Sequence, residues 1–225
     1  MSTLRLPSPL GFVFLILIAG CAHCSGAAGT RIIDARSMPD GSEVSISGTV
    51  TVAPGTFVSA LDAGFGLQDE SGGIWVSLDA KDSRPPLARG DRVRVTGRLG
   101  EVAKLRVLTA SSAAVERLSA GAGPDGNPRQ VQTGSVSEST EGQVIRVTGQ
   151  VTRTVMDDAP YGYKLFINDG SGEVQIFCHA SAGFDLASLQ PFLSGQRVQA
   201  TGLSLQYETT YEVGPREASE LVKTN

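Results

Sequence analysis

The sequence predicts an all-β protein made of two small five-stranded Greek-key barrels in tandem. Three observations predict it. Apolar residues alternate with polar ones at period two along short segments, the pattern of strands with one buried face. The same blocks occur twice in the same order, about 100 residues apart, which marks duplicated domains rather than a solenoid with its ~20–50-residue period. The 225 residues include 27 glycines and 11 prolines, a composition rich in turns.

Each element follows in order. In the first half Val44, Ile46 and Val50 form a strand, then Phe65 and Leu67, then Ile74, Val76 and Leu78. Val93 with Val95, and Leu105 with Val107, complete five. The second half repeats this with Ile145, Val147 and Val151; Tyr163, Leu165 and Ile167; Val174, Ile176 and Cys178; Val198 and Ala200; Tyr211 and Val213. Asp69-Glu-Ser-Gly-Gly73 and Asp169-Gly-Ser-Gly172 are turn chemistry, and their aspartates are expected to cap backbone N–H groups. Between strands three and four, residues 181–194 allow a short helix limited by Pro191, whereas 79–89, with Pro85-Pro86, reads as a loop or one turn. The expected organisation is 1–20 signal peptide, 21–30 tether, 31–118 first barrel, 119–129 Gly/Pro linker and 130–225 second barrel.

The matched blocks carry a family resemblance. Val44-Ser-Ile-Ser-Gly-Thr-Val50 pairs with Ile145-Arg-Val-Thr-Gly-Gln-Val151, and Leu67-Gln-Asp-Glu-Ser-Gly-Gly-Ile74 with Ile167-Asn-Asp-Gly-Ser-Gly-Glu-Val174. Gly90-Asp-Arg-Val-Arg-Val-Thr-Gly97 pairs with Gly195-Gln-Arg-Val-Gln-Ala-Thr-Gly202, and Leu105-Arg-Val107 with Tyr211-Glu-Val213. These blocks resemble bacterial OB-fold modules of exported proteins, of the tRNA-anticodon/helicase-type group, some attached to secreted nucleases. The resemblance implies two OB barrels over residues 31–222. OB barrels bind oligonucleotides, oligosaccharides and proteins, so it does not choose a ligand.

The N-terminus carries an address. Arg5 precedes an apolar run from Leu10 to Ile18, too short for a mature span of ~20 residues. Leu17-Ile18-Ala19-Gly20-Cys21 resembles a bacterial lipobox. That resemblance implies cleavage before Cys21 and its lipidation, with palmitate among the acyl chains. It implies membrane anchoring and a cell-envelope address, with Ala22 favouring the outer membrane. An ordinary secretory peptide with an incidental cysteine is the alternative. Cys24 and Cys178 could pair outside the cytosol, but Cys178 on an apolar strand reads as a buried free thiol.

Catalytic chemistry is scarce. His23 lies in the tether, leaving His179 alone within a barrel, and no HExxH, Cys-x-x-Cys, P-loop or Gly-x-Ser-x-Gly motif occurs. Cys178 and His179 are neighbours on a strand and point to opposite faces. Asp157-Asp158 falls short of the 6–8 oxygen ligands of a calcium site. The expectation is no catalytic residue, no metal and no cofactor.

Binding has more candidates. Outward positions hold Trp75, Arg92, Arg94 and Arg106 in the first half and Arg146, Lys164, Phe166 and Phe177 in the second. An outward aromatic stacks on a base or sugar, base stacking being worth ~1–3 kcal/mol. The alternative is that the aromatics pack against the neighbouring barrel and the arginines solvate the surface. Residues 31–120 hold 11 basic and 11 acidic residues, and 121–225 hold 7 and 12. That balance lacks the basic footprint of a phosphate binder. The expected partners are the membrane and an envelope protein or glycan, with single-stranded nucleic acid as the alternative.

Overall fold

The computed structural model describes residues 29–59, 62–121 and 128–224. The lipobox and Cys21, the tether cysteine Cys24 and most of the expected linker lie outside the described residues.

The first barrel contains β1 (Glu43–Val52), β2 (Phe65–Gln68), β3 (Gly73–Leu78), β4 (Arg92–Val102) and β5 (Leu105–Ala110), with β6 (Val115–Ser119) added along β4. The order β1-β2-β3-β5-β4 closes through β1–β4, and only β3 and β5 run parallel. The second half repeats the circuit. After β7 (Arg129–Gln130) come β8 (Val144–Val151), β9 (Met156–Asp158), β10 (Gly162–Asn168), β11 (Glu173–His179), β12 (Arg197–Tyr207), β13 (Thr210–Gly214) and β14 (Leu221–Lys223). The circuit β8-β10-β11-β13-β12 closes through β12–β8, with β11 and β13 parallel. Both halves are OB folds. The only α-helices among the described residues are α1 (Ile32–Arg36) and α2 (Leu186–Leu189). None is long and apolar enough to cross a membrane.

Period-two burial fills each interior. Ile46, Val50, Phe65, Leu67, Ile74, Val93 and Val95 form the first core, and Ile145, Val147, Leu165, Ile167, Ile176, Cys178 and Val198 the second. The hairpin aspartates cap as expected. Asp69 accepts from the N–H of Ser71 (2.7 Å) and Gly72 (3.0 Å), and Asp169 from the N–H of Ser171 (3.0 Å). Each also holds the segment entering its barrel, through the N–H of Ile32 (2.9 Å) or of Thr133 (3.1 Å). These bonds to the ionised form, led by the Ser171 hydroxyl, hold Asp169 well below the usual carboxylate range. Asp185 caps α2 in a reciprocal box with Ser188.

One strand differs from expectation. Trp75 lies beside Val107, as Gln175 lies beside Glu212. The last repeat is therefore offset by 105 residues, as in the preceding block, rather than by 106. A one-residue slip moves every side chain to the other face. Leu108 enters the core, while Val107 and Leu105 face the second barrel instead of the first interior.

The barrels dock face to face. Val52, Trp75, Val107, Val144 and Leu203 form one buried apolar cluster, with Phe57, Leu105 and Leu205 packed on it. Arg36 bonds Glu141 at 2.9 Å, the Val144 N–H donates to Gln68 at 3.1 Å, and Arg216 donates to the Thr51 carbonyl at 2.7 Å. Gly73 and Gly142 touch so closely that a Cβ on Gly73 would lie 1.9 Å from the Gly142 carbonyl oxygen.

Candidate binding groove between the barrels

Elements of the two barrels converge on one groove. The β1–β2 loop contributes Phe57 and Asp62, β3 contributes Trp75, and the β4–β5 hairpin contributes Val102, Ala103 and Leu105. Across from them stand Phe177 and His179 on β11, Leu205 and Tyr207 on β12, and Glu212 on β13. The hairpin tips meet: the Glu208 N–H donates to the Ala103 carbonyl at 2.7 Å. The cavity measures about 270 Å³. Pockets for drug-sized ligands start near ~300 Å³, so this one suits a single ring or side chain.

Aromatic rings form its wall. Phe57 stacks on Trp75 with centroids 6.1 Å apart and planes at 27°. Phe57 also meets His179 at 5.8 Å, and Phe177 meets His179 edge-on at 5.8 Å. Offset and edge-on geometries are those the ring quadrupole favours. The Trp75 indole N–H donates to Asp62 Oδ2 at 2.8 Å, and Asp62 Oδ1 accepts from the Gly64 N–H at 2.7 Å. His179 Nδ1 accepts the Ser181 N–H at 3.2 Å. Burial lowers the His179 pKa, so the imidazole is neutral near pH 7. Glu212 bonds the Gln175 amide, and burial pushes its carboxyl up to about 7.

No Lys or Arg is among the described residues lining the groove. Elsewhere the cations are largely spent on carboxylates. Arg94 pairs with Glu116 at 2.9 Å and Lys164 with Asp158 at 2.9 Å. Arg98 pairs with Glu43 at 3.0 Å and Arg117 with Asp91 at 3.1 Å.

The expected binding residues are thus scattered. Trp75 points out of its barrel but is covered by the other and is 5% exposed. Phe177 shares the groove with it. Phe166 and Lys164 lie on the adjoining outer face of β10, where the Arg153 guanidinium sits 3.9 Å from the Phe166 ring centroid. Arg92 and Arg94 are exposed on β4, away from the groove lining. Arg146 is half-buried and donates to Thr201 at 3.3 Å. Arg106 is a correction: the register of β5 turns it away from the ligand face, and it is buried against Asp40 and the Met38 carbonyl.

Sequence reading missed Phe57, Asp62, Leu205, Tyr207 and Glu212 as groove residues and met His179 only as the lone histidine of a barrel. Phe57, Asp62 and Tyr207 lie at loops or strand ends, where period two says nothing. Glu212 carried one signal, its place opposite Gln175 once the 105-residue offset is recognised. Cys178 is a free, buried thiol, pushed by desolvation up to about 12. No cluster of three potential metal ligands occurs among the described residues.

No protein-family profile matches the sequence, and no curated protein is similar to it. The chain is distantly similar to several solved structures. A murine DNA-binding protein bound with double-stranded DNA is 10% identical, with 80% of this chain and 96% of that one covered at a TM-score of 0.40. The tetrameric p202 HIN2 structure is 8% identical, covering 84% and 97% at 0.39. The single-stranded DNA binding protein from Thermus aquaticus is 16% identical, covering 83% and 95% at 0.29. At these values the likeness carries no argument about a ligand. The class rests on strand order: this chain is a tandem OB-barrel protein.

Proposed function

We propose that this chain is a non-catalytic binding module that seats one apolar-faced group of an envelope protein or glycan in the groove between its barrels. One observation carries the reading: an aromatic-walled cavity of about 270 Å³, built jointly by both barrels, has no Lys or Arg among the described residues of its lining. Phosphate chains are held mainly by cations through counterion release, and this groove offers none. Anchoring through a lipidated Cys21, with an address at the outer membrane, extends the proposal. It is supported by the lipobox-like Leu17-Ile18-Ala19-Gly20-Cys21. The test follows the emission of Trp75, the single tryptophan, during titration with oligosaccharides, peptides and single-stranded oligonucleotides. Saturable change with a neutral glycan or a peptide, insensitive to salt, supports the proposal. Saturable change with oligonucleotides alone overturns it.

A second reading is single-stranded nucleic-acid binding on the outer face of β10. The Arg153 guanidinium over Phe166 with Lys164 nearby favours it, being the pairing that stacks on a base and holds a phosphate. Arg153 is paired with Glu173 and Lys164 with Asp158, so both cations must give up a carboxylate first. Oligonucleotide affinity that falls steeply with salt and is lost in Phe166→Ala is its signature.

A further inference from the structure

We infer that the groove is a receptor for a basic side chain, the lysine or arginine of a partner protein segment. The inference rests on the groove being the binding site. Its acidic groups among the described residues are Asp62 and Glu212, and they stand among the rings of Phe57, Trp75, Phe177, His179 and Tyr207. Carboxylates set among ring faces attract an organic cation twice over, by charge and by the ring quadrupole. A neutral sugar would use the two carboxyls only as hydrogen-bond acceptors and gain nothing from their charge, whereas a phosphate would be repelled by Asp62 and by the ionised form of Glu212.

The surrounding charges keep this polarity. Burial lowers the His179 pKa, and its Nδ1 accepts the Ser181 N–H, the arrangement of a neutral imidazole. Lys164, on the strand beside β11, is engaged by Asp158 at 2.9 Å. Lys104, at the hairpin tip, is 3.8 Å from Glu101, and Glu208 stands on the facing tip. The size agrees, since about 270 Å³ holds one long side chain and no more. The stem would lie on Leu105, Leu205 and the rings, and the head would reach Glu212. A cation there stabilises the ionised form of a carboxyl that burial has pushed up to about 7. Binding then releases a proton below that pH and tightens as pH rises through it.

The experiment uses the full ¹⁵N-labelled chain, whose single indole N–H resonance belongs to Trp75. The probes are N-acetyl-lysine methylamide, its uncharged counterpart N-acetyl-norleucine methylamide, and chitotriose. The expected result is lysine binding at least about fivefold tighter than norleucine at pH 8. That preference should shrink at pH 6, and in Glu212→Gln it should fall and lose its dependence on pH between 6 and 8. Equal binding of lysine and norleucine, or a shift with chitotriose alone, overturns the cationic occupant and leaves the groove standing. No shift with any probe overturns both. The wild-type pH series decides the matter even if the variant does not fold.

Discussion

Arg36 and Glu141 face each other at 2.9 Å across the junction of the two barrels, with side chains 8% and 0% exposed. Glu141 Oε1 also accepts the backbone N–H of Arg106 at 3.0 Å, while its Oε2 has no hydrogen-bond partner. Burial raises the Glu141 pKa, and the Arg106 N–H and Arg36 pull it back. A buried pair of this kind contributes little over an apolar pair, but breaking it strands a charge. Arg36→Ala is therefore expected to cost about 3–5 kcal/mol in urea denaturation. The double variant Arg36→Met with Glu141→Gln should recover most of that loss. A loss below about 1 kcal/mol for the single variant would show that water reaches the pair.

Gly73 has no room for a side chain, because its Cβ would meet the Gly142 carbonyl. Gly73→Ala should wedge the barrels apart, at about 1–3 kcal/mol as overpacking usually costs. Trp75, now 5% exposed, would lose its cover. Tryptophan emission is expected to move to the red, and small-angle scattering should show a larger radius of gyration. Unchanged emission would mean that the contact yields locally.

Glu212 gives the fold a pH dependence. Its carboxyl titrates near 7 in the folded protein, against 4.5 as its ordinary value. The folded state thus binds more protons than the unfolded state between those values, and stability falls as pH rises through that window. A shift of that size corresponds to on the order of 3 kcal/mol. Glu212→Gln should flatten the dependence and be the more stable protein at pH 8. Thermal melting from pH 5 to 8 checks it, and parallel curves for the two proteins would refute it.

Cys178 should not react while the barrel is closed. Its thiol is fully buried and pushed up to about 12, so thiolate is scarce at pH 8. With Cys21→Ser and Cys24→Ser, Ellman's reagent should label the native chain at the rate of unfolding and label it at once in 6 M guanidinium. Prompt labelling without denaturant would place the thiol at the surface.

Strands three and four of each barrel were legible because Ile74, Val76, Val93 and Val95 alternate cleanly, as do Val174, Ile176, Val198 and Ala200. The groove was not. Alternation separates inside from outside within one barrel, but it does not say which outside the second barrel covers. Trp75 has the same pattern whether it faces water or Val144. Leu105-Arg-Val-Leu108 was ambiguous for another reason: apolar residues fall on both phases, Leu105 and Val107 on one and Leu108 on the other. Only the partner strand breaks that tie, through Trp75 beside Val107.

The groove draws half its walls from each copy of a duplicated unit, Phe57 and Trp75 from one and His179 and Glu212 from the other. Neither barrel on its own would possess it, so the two halves are tied together by what they jointly enclose. A substitution at Phe57 changes what is tolerated at His179, so these positions should drift as pairs across the joint, while the outer faces drift alone.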